Sequence, residues 1–201
     1  MSEMFSEKYK YVARRTSALR GKLLDIGARD CILKKYLQSP ALQYFSADLG
    51  AGHDYQIDLE KPLAPGDGEF DVVAALDVLE HLENPHQALR ELLRITKTKL
   101  FISLPNMACL SFRLRFLREG KLSDKYALLP RRQGDRHRWL TVYDQARAFI
   151  NDISTEMNCA VLQYDINEDP GNYGKFRFLV PYTLLPPDLK VYTMVFEITK
   201  P

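Results

Sequence analysis

Short apolar runs that stop at an aspartate dominate the first eighty residues. KLLDIG (22–27) carries Asp25, QYFSAD (43–48) ends on Asp48, DYQID (54–58) ends on Asp58, and FDVVAAL (70–76) is followed by Asp77. Runs this short, bounded by glycine, proline or acidic residues, predict strands; FDVVAAL is a continuous apolar run but for Asp71, the pattern of a strand covered on both faces. Stretches with helical spacing lie between or after them, at 30–38 and at 84–95 through Leu89, Leu92 and Leu93. TKLFISL (98–104) is the next strand, halted by Pro105. Strands alternating with helices imply parallel βαβ units. Such sheets bind ligands outside the carboxyl ends of their strands, where strand order reverses. The four aspartates stand at those ends.

The rest of the chain fits one domain of 201 residues. Residues 1–20 supply a polar, basic N-terminal helix, read over about 5–20, and 61–69 (KPLAPGDGE) is a loop. Only 49–53 separate the second and third strands, too few for an ordinary crossover helix. The segment 54–58 is therefore expected to pair poorly or to lie at a sheet edge. Residues 106–140 form a basic insertion or lid. Within it 106–119 is an amphipathic helix with Leu110, Leu114 and Leu117 on one face. Thr141 and Asp144 resemble a capping box opening a helix over 142–156. AVLQYDI (160–166) and VYTMVFEIT (191–199) are the last strands, joined by a long connection rich in Pro, Gly and Tyr.

Charge and composition exclude several classes. The formal net charge is +2, so no global field favours nucleic acid. Residues 109–140 nevertheless hold nine Lys or Arg against three Asp or Glu, which leaves the remainder acidic. No apolar run is long enough for a membrane span, and the first residues lack the apolar core of a secretory signal. Cys31, Cys109 and Cys159 are an odd set without metal-type spacing, as expected of buried thiols in a reducing cytoplasm. His53, His81, His86 and His137 form no metal-binding spacing motif, so no metal site is expected.

LLDIGARDCIL (23–33) resembles the first motif of class I S-adenosylmethionine-dependent methyltransferases, a strand followed by D-x-G-x-G-x-G. Asp25 and Gly27 match its first two fixed positions; Arg29 and Cys31 stand where the later glycines are usual. Asp48 lies 23 residues after Asp25, and EFDVVAALDVLEHLENP (69–85) is similar to the family's fourth strand and following turn. Residues 103–123 and 135–149 are similar to a subgroup that includes methionine-biosynthesis protein W and related type 11-like proteins. The resemblance implies a Rossmann-like α/β fold, mostly parallel with an antiparallel C-terminal strand and helices on both faces. It implies S-adenosylmethionine as cofactor, held at Asp25, Gly27, Ala28, Asp48, Leu49, Asp58, Leu59 and Asp77. Asp25 would organise the turn and meet the ligand's ammonium group, Asp48 the ribose hydroxyls, Asp58 and Leu59 the adenine, and Asp77 the methionine portion.

Methyl transfer needs an acceptor held in line, and a base where that acceptor is a hydroxyl. His81 and His137 are the candidate catalytic residues. His81 could equally cap a helix, and His137, flanked by Arg136, Arg138 and Trp139, could serve a docking surface. The expected partner is a small-molecule acceptor drawn in by the basic segment and so anionic. Two other readings stay open: a cofactor-binding partner protein without turnover, as for methionine-biosynthesis protein W, and a basic helix at 106–119 resting on an anionic membrane.

Overall fold

In the computed structural model of the protein, residues 3–122, 124–128, 130–131, 136–169, 171–173 and 181–201 are described. Among them seven strands form one sheet: β1 (Gly21–Ile26), β2 (Leu42–Asp48), β3 (Tyr55–Gln56), β4 (Phe70–Leu76), β5 (Thr96–Pro105), β6 (Ala160–Asn167) and β7 (Val191–Thr199). Their order is β3-β2-β1-β4-β5-β7-β6. The first five run parallel, and β7 is antiparallel to both β5 and β6. Strand order reverses between β1 and β4, so the carboxyl ends of these two strands open a crevice.

Burial explains the strand sequences. Every residue of β4 except Asp71 is buried, because helices cover both faces. On one face lie α2 (Pro85–Ile95) and α4 (Tyr143–Glu156), with Ala88, Leu89, Leu92, Leu93, Ala146, Ile150 and Ile153 in the core. α2 starts where the Asn84 side chain accepts from Gln87 N–H at 3.1 Å, with Pro85 in its first turn. On the other face α1 (Glu3–Thr16) packs Tyr11 and Val12 onto Leu23, Val72, Phe101 and Val195. Tyr11 stacks on Tyr164 with ring centroids 4.4 Å apart.

A buried carboxylate fastens α1 in place. Glu197 of β7 is 2% exposed and accepts from Arg15 Nε at 2.5 Å and Nη2 at 3.0 Å, with Lys99 as its third cationic contact. Burial alone would raise its pKa; the Arg15 and Lys99 hydrogen bonds outweigh burial and hold it below the ordinary value. This clamp fixes the rotation of α1, which sets where Lys8, one turn nearer the N-terminus than Tyr11, enters the fold.

Three local expectations are corrected and one is met. Residues 30–38 form no α-helix, only a 3₁₀ turn at Leu33–Lys35, because Arg29 (φ 41°) and Cys31 (φ 51°) are left-handed and a right-handed helix cannot run through them. Thr141 does not cap α4: its hydroxyl donates to Pro105 O at 2.6 Å, and Val142 occupies the cap position without a side-chain bond. The basic helix starts later than expected, as α3 (Leu110–Glu119). It buries no residue completely, and Leu117 faces solvent while Leu110 and Leu114 are half-buried. The expected weakness of 54–58 is found: β3 is two residues long and lies at the sheet edge. A short helix, α5 (Pro187–Lys190), leads into β7.

Candidate active site

The crevice is built around the turn after β1. Gly27 has φ +72°, and a Cβ there would lie 2.7 Å from Val78 Cγ2. Only glycine allows the β1 and β4 turns to approach this closely. The N–H groups of Gly27 and Ala28 both donate to Ala47 O, at 2.9 and 3.1 Å, and Cys31 N–H donates to Ala28 O at 2.7 Å. Arg29 N–H donates to Asp48 Oδ2 at 3.1 Å, while Leu49 N–H donates to Asp48 Oδ1 at 2.7 Å. The departures from the glycine pattern therefore keep the backbone path. Arg29 and Cys31 adopt the left-handed conformation themselves, at about 1–2 kcal/mol each, and hydrogen bonds to Asp48 and Ala28 hold them there.

A cleft of about 910 Å³ opens beside this turn. Gly27, Asp48, Leu49, Asp58 and Leu59 line it from the β1–β3 side, Asp77 and His81 from the β4 side, and Arg136, His137, Arg138 and Trp139 from the basic segment. Of the sequence-predicted site residues, only Asp25 and Ala28 lie outside this lining. Asp25 is buried behind it and accepts from Tyr44 Oη at 2.8 Å. Burial pushes its pKa up to about 7, against the Tyr44 hydrogen bond and helped by the charge of Asp48. Asp58 is held below its usual range by Lys61, 2.8 Å away, and by Glu60 N–H. Leu59 is buried beside it.

Asp77 is the hub between this cleft and a second cavity. It is left-handed (φ 56°); its N–H donates to Ser103 Oγ at 2.9 Å and to Ser103 O at 3.2 Å. Ser103 Oγ donates back to Asp77 Oδ1 at 2.5 Å. The other carboxylate oxygen pairs with Lys8 of α1, which is itself buried. The second cavity, about 220 Å³, shares Asp77 and His137 with the first and is lined further by Phe5, Lys8, Glu80, Met107, Phe112, Lys125 and Tyr192. Phe112 stacks on Tyr192 with centroids 5.9 Å apart.

Between the cavities stand Glu80, His81 and His137. Glu80 is 1% exposed, and neither of its carboxylate oxygens has a hydrogen-bond partner among the described residues. Burial and the nearby charge of Asp77 push its pKa up to about 8. The 3₁₀ turn Leu79–His81 presents Glu80 and His81 together, and the basic segment returns His137 to them. Arg138 and Trp139 N–H groups reach Glu80 O at 2.9 and 3.3 Å, and Trp139 Nε1 donates to Leu82 O at 2.8 Å. Potential ligand atoms of Glu80, His81 and His137 all lie within 4.8 Å of one another. Sequence reasoning predicted no metal site and did not single out Lys8, Tyr126 or Ser103. Lys8 and Ser103 meet Asp77 from 69 and 26 positions away, and no local pattern signals them.

The methyltransferase domain family model matches residues 2–163. No curated protein matches the chain. Among solved structures, the small RNA methyltransferase HEN1 superposes with a TM-score of 0.66 at 14% identity, over 98% of this chain and 25% of that one. The present chain thus spans a quarter of the HEN1 chain. The methyltransferase domain of a bacterial HEN1 gives 0.61 at 14% identity, over 98% of this chain and all of that one. The [4+2]-cyclase SpnF gives 0.60 at 13% identity, over 98% and 81%. At such identities the superpositions establish the fold, and the family match carries the chemistry. The chain belongs to the methyltransferase domain family, whose methyl donor is S-adenosylmethionine.

Proposed function

We propose that the protein transfers a methyl group from S-adenosylmethionine in the larger cleft to a small anionic acceptor in the second cavity. The observation that carries this reading is the junction at Asp77 and His137, which belong to both spaces. The larger cleft falls within the range of about 300–1,000 Å³ common for small-molecule sites, and the Gly27 turn leaves a cradle that any Cβ would fill. These residues fit the cofactor. Asp48 would accept from the ribose hydroxyls, Asp58 and Leu59 would hold the adenine, and Asp77 would face the methionine portion. Gly27, Ala28 and Leu49 would shape the turn against the ligand, and Asp25 would meet its ammonium group from behind the turn.

When bound, the cofactor supplies a sulfonium-activated methyl: the acceptor–carbon bond forms as the sulfur–carbon bond breaks, and sulfur keeps the electron pair. The chain's task is to hold the acceptor in line, exclude water and receive the acceptor's proton. His137, which lines both spaces, and His81, which lines the larger cleft, would receive that proton. Phe112, Tyr192 and Met107 offer an apolar wall, and Lys125 an anion-attracting charge. Residues 106–140 act as the lid. Their last part is docked on the rim through Arg138, which pairs with Glu83, and Trp139; Arg132 of the same segment lies outside the described residues.

The test is methyl transfer to a panel of small phenolic and carboxylate acceptors, with the product identified by mass. A Lys125→Met variant is expected to raise the KM of an anionic acceptor about tenfold, the worth of one charge-assisted hydrogen bond, and to leave S-adenosylhomocysteine affinity unchanged. Cofactor binding without transfer to any acceptor would instead favour a partner role without turnover.

A further inference from the structure

We infer that α3 and the stretch just after it form a docking surface for an anionic phospholipid bilayer, with the acceptor cavity on the underside of the helix. Arg113, Phe116 and Leu117 are spaced i, i+3 and i+4, so they share one face of α3, and all three are exposed. Leu117 is 81% exposed, and Leu128, beyond the helix, is 94% exposed. Leu122 between them is exposed as well. A single exposed leucine is ordinary, but four large apolar side chains turned to solvent within 116–128 mark a surface that gains by being covered. None of the four lines either cavity described above.

The charges on the same stretch select the partner. Between Leu110 and Leu122, Arg113, Arg115, Arg118 and Lys121 stand against one acid, Glu119. Glu119 is shared by Arg115, at 3.2 Å, and Arg118, while Arg113 pairs with Asp188 at 3.0 Å. Exposed pairs of this kind are worth little, so the guanidinium groups can exchange onto phosphate. An anionic bilayer takes up both features at once: headgroup phosphates meet the cations, and the apolar side chains enter the acyl boundary. Along a nucleic-acid backbone Leu117 and Leu128 would stay in water. The helix is also ready-made. Gly120 ends it in the left-handed conformation with its N–H donating to Phe116 O at 2.7 Å, and the Phe112–Tyr192 stack fixes its inner side. Docking therefore carries none of the ordering cost that a free peptide of this length would meet. Phe112 lines the second cavity, so a docked α3 sets that cavity against the lipid surface. The acceptor class this selects is an anionic amphiphile held in the bilayer. That consequence rests on the methyltransferase reading above; attachment to the bilayer does not.

The experiment is co-sedimentation of the full chain with vesicles of phosphatidylcholine alone and with vesicles in which about one-third of the lipid is phosphatidylglycerol. Binding to the anionic vesicles is expected to be stronger by about tenfold or more, and to weaken as salt rises. Phe116→Ser combined with Leu117→Ser, and Arg118→Ser combined with Lys121→Ser, should each weaken it by about tenfold or more. All four side chains are exposed and none lines the larger cleft, so melting and S-adenosylhomocysteine affinity of both variants should match the parent. No binding to anionic vesicles, equal binding to both kinds of vesicle, or folded variants that bind as the parent does would overturn the surface. Binding of a single-stranded RNA through these residues without vesicle binding would overturn it and assign the face to nucleic acid. Self-association abolished by the Phe116 and Leu117 changes, again without vesicle binding, would assign it to a second copy of the chain. Absence of S-adenosylhomocysteine binding with vesicle binding intact would count only against the cofactor reading.

Discussion

Gly27→Ala is expected to lower S-adenosylhomocysteine affinity by at least tenfold and to destabilise the fold by about 2–4 kcal/mol. The left-handed backbone at φ +72° contributes about 1–2 kcal/mol of that for any residue with a Cβ. The remainder comes from the new Cβ meeting Val78 Cγ2 at 2.7 Å. Val78 is β-branched and stiff, so relief requires moving the β4 turn that also carries Asp77. Melting should drop by roughly 5 °C or more for a domain of this size. Gly50 is the internal comparison. It lies on the loop after Asp48, has no atom within 4 Å of a built Cβ, and is not left-handed. Gly50→Ala should therefore leave both melting and affinity near the parent values. Equal effects at the two glycines would show that the close approach at Gly27 does not shape the cleft.

Asp25→Asn should move stability and binding in opposite directions. The folded-state pKa of Asp25 is raised to about 7 from an ordinary 3.8, chiefly by burial. Between these values the native state holds the proton more tightly than the unfolded chain does. Unfolding free energy therefore falls as pH rises through this window, and the loss is complete above pH 7. Its ceiling is about 4 kcal/mol, at about 1.4 kcal/mol per pKa unit. Asparagine cannot ionise and can still accept from Tyr44 Oη. The unliganded variant should melt roughly 5–10 °C higher than the parent at pH 8 and nearly the same at pH 4. The same change removes the charge that would face the ligand's ammonium group, so S-adenosylhomocysteine affinity at pH 8 should fall at least tenfold. A melting gain that is absent at pH 8, or as large at pH 4, would mean that Asp25 is not held protonated by burial. Such a trade is expected where a site keeps a poorly solvated charge for its ligand.

The sheet was legible because its strands are short, apolar and closed by aspartates, and because β4 is apolar on both faces. Those aspartates also placed the cleft: Asp48, Asp58 and Asp77 all line it. Backbone conformation was less legible. Helical spacing at 30–38 said nothing of the left-handed Arg29 and Cys31 that confine the helix to one turn. Thr141 and Asp144 had the spacing of a cap, but the Thr141 hydroxyl found Pro105 O instead, a tertiary contact that no local pattern encodes. Long-range side-chain meetings were invisible for the same reason. Lys8 reaches Asp77 across 69 positions, because Glu197 and Tyr164, far along the chain, fix α1 in place. His137 meets Glu80 only because the basic segment returns to the rim, and in the sequence it reads as one more residue of an arginine-rich stretch.

The account stands on an adenosyl ligand lying over the Gly27 turn with its ribose on Asp48. Calorimetric titration with S-adenosylhomocysteine, beside an Asp48→Ala variant whose melting is checked, tests this most directly. The account predicts one site per chain in the parent protein. Affinity should be weaker by about 30- to 700-fold in the variant, as expected for losing about 2–4 kcal/mol of hydrogen bonds to a charged group. No saturable heat with the parent protein, or equal affinity in a folded Asp48→Ala variant, would contradict it.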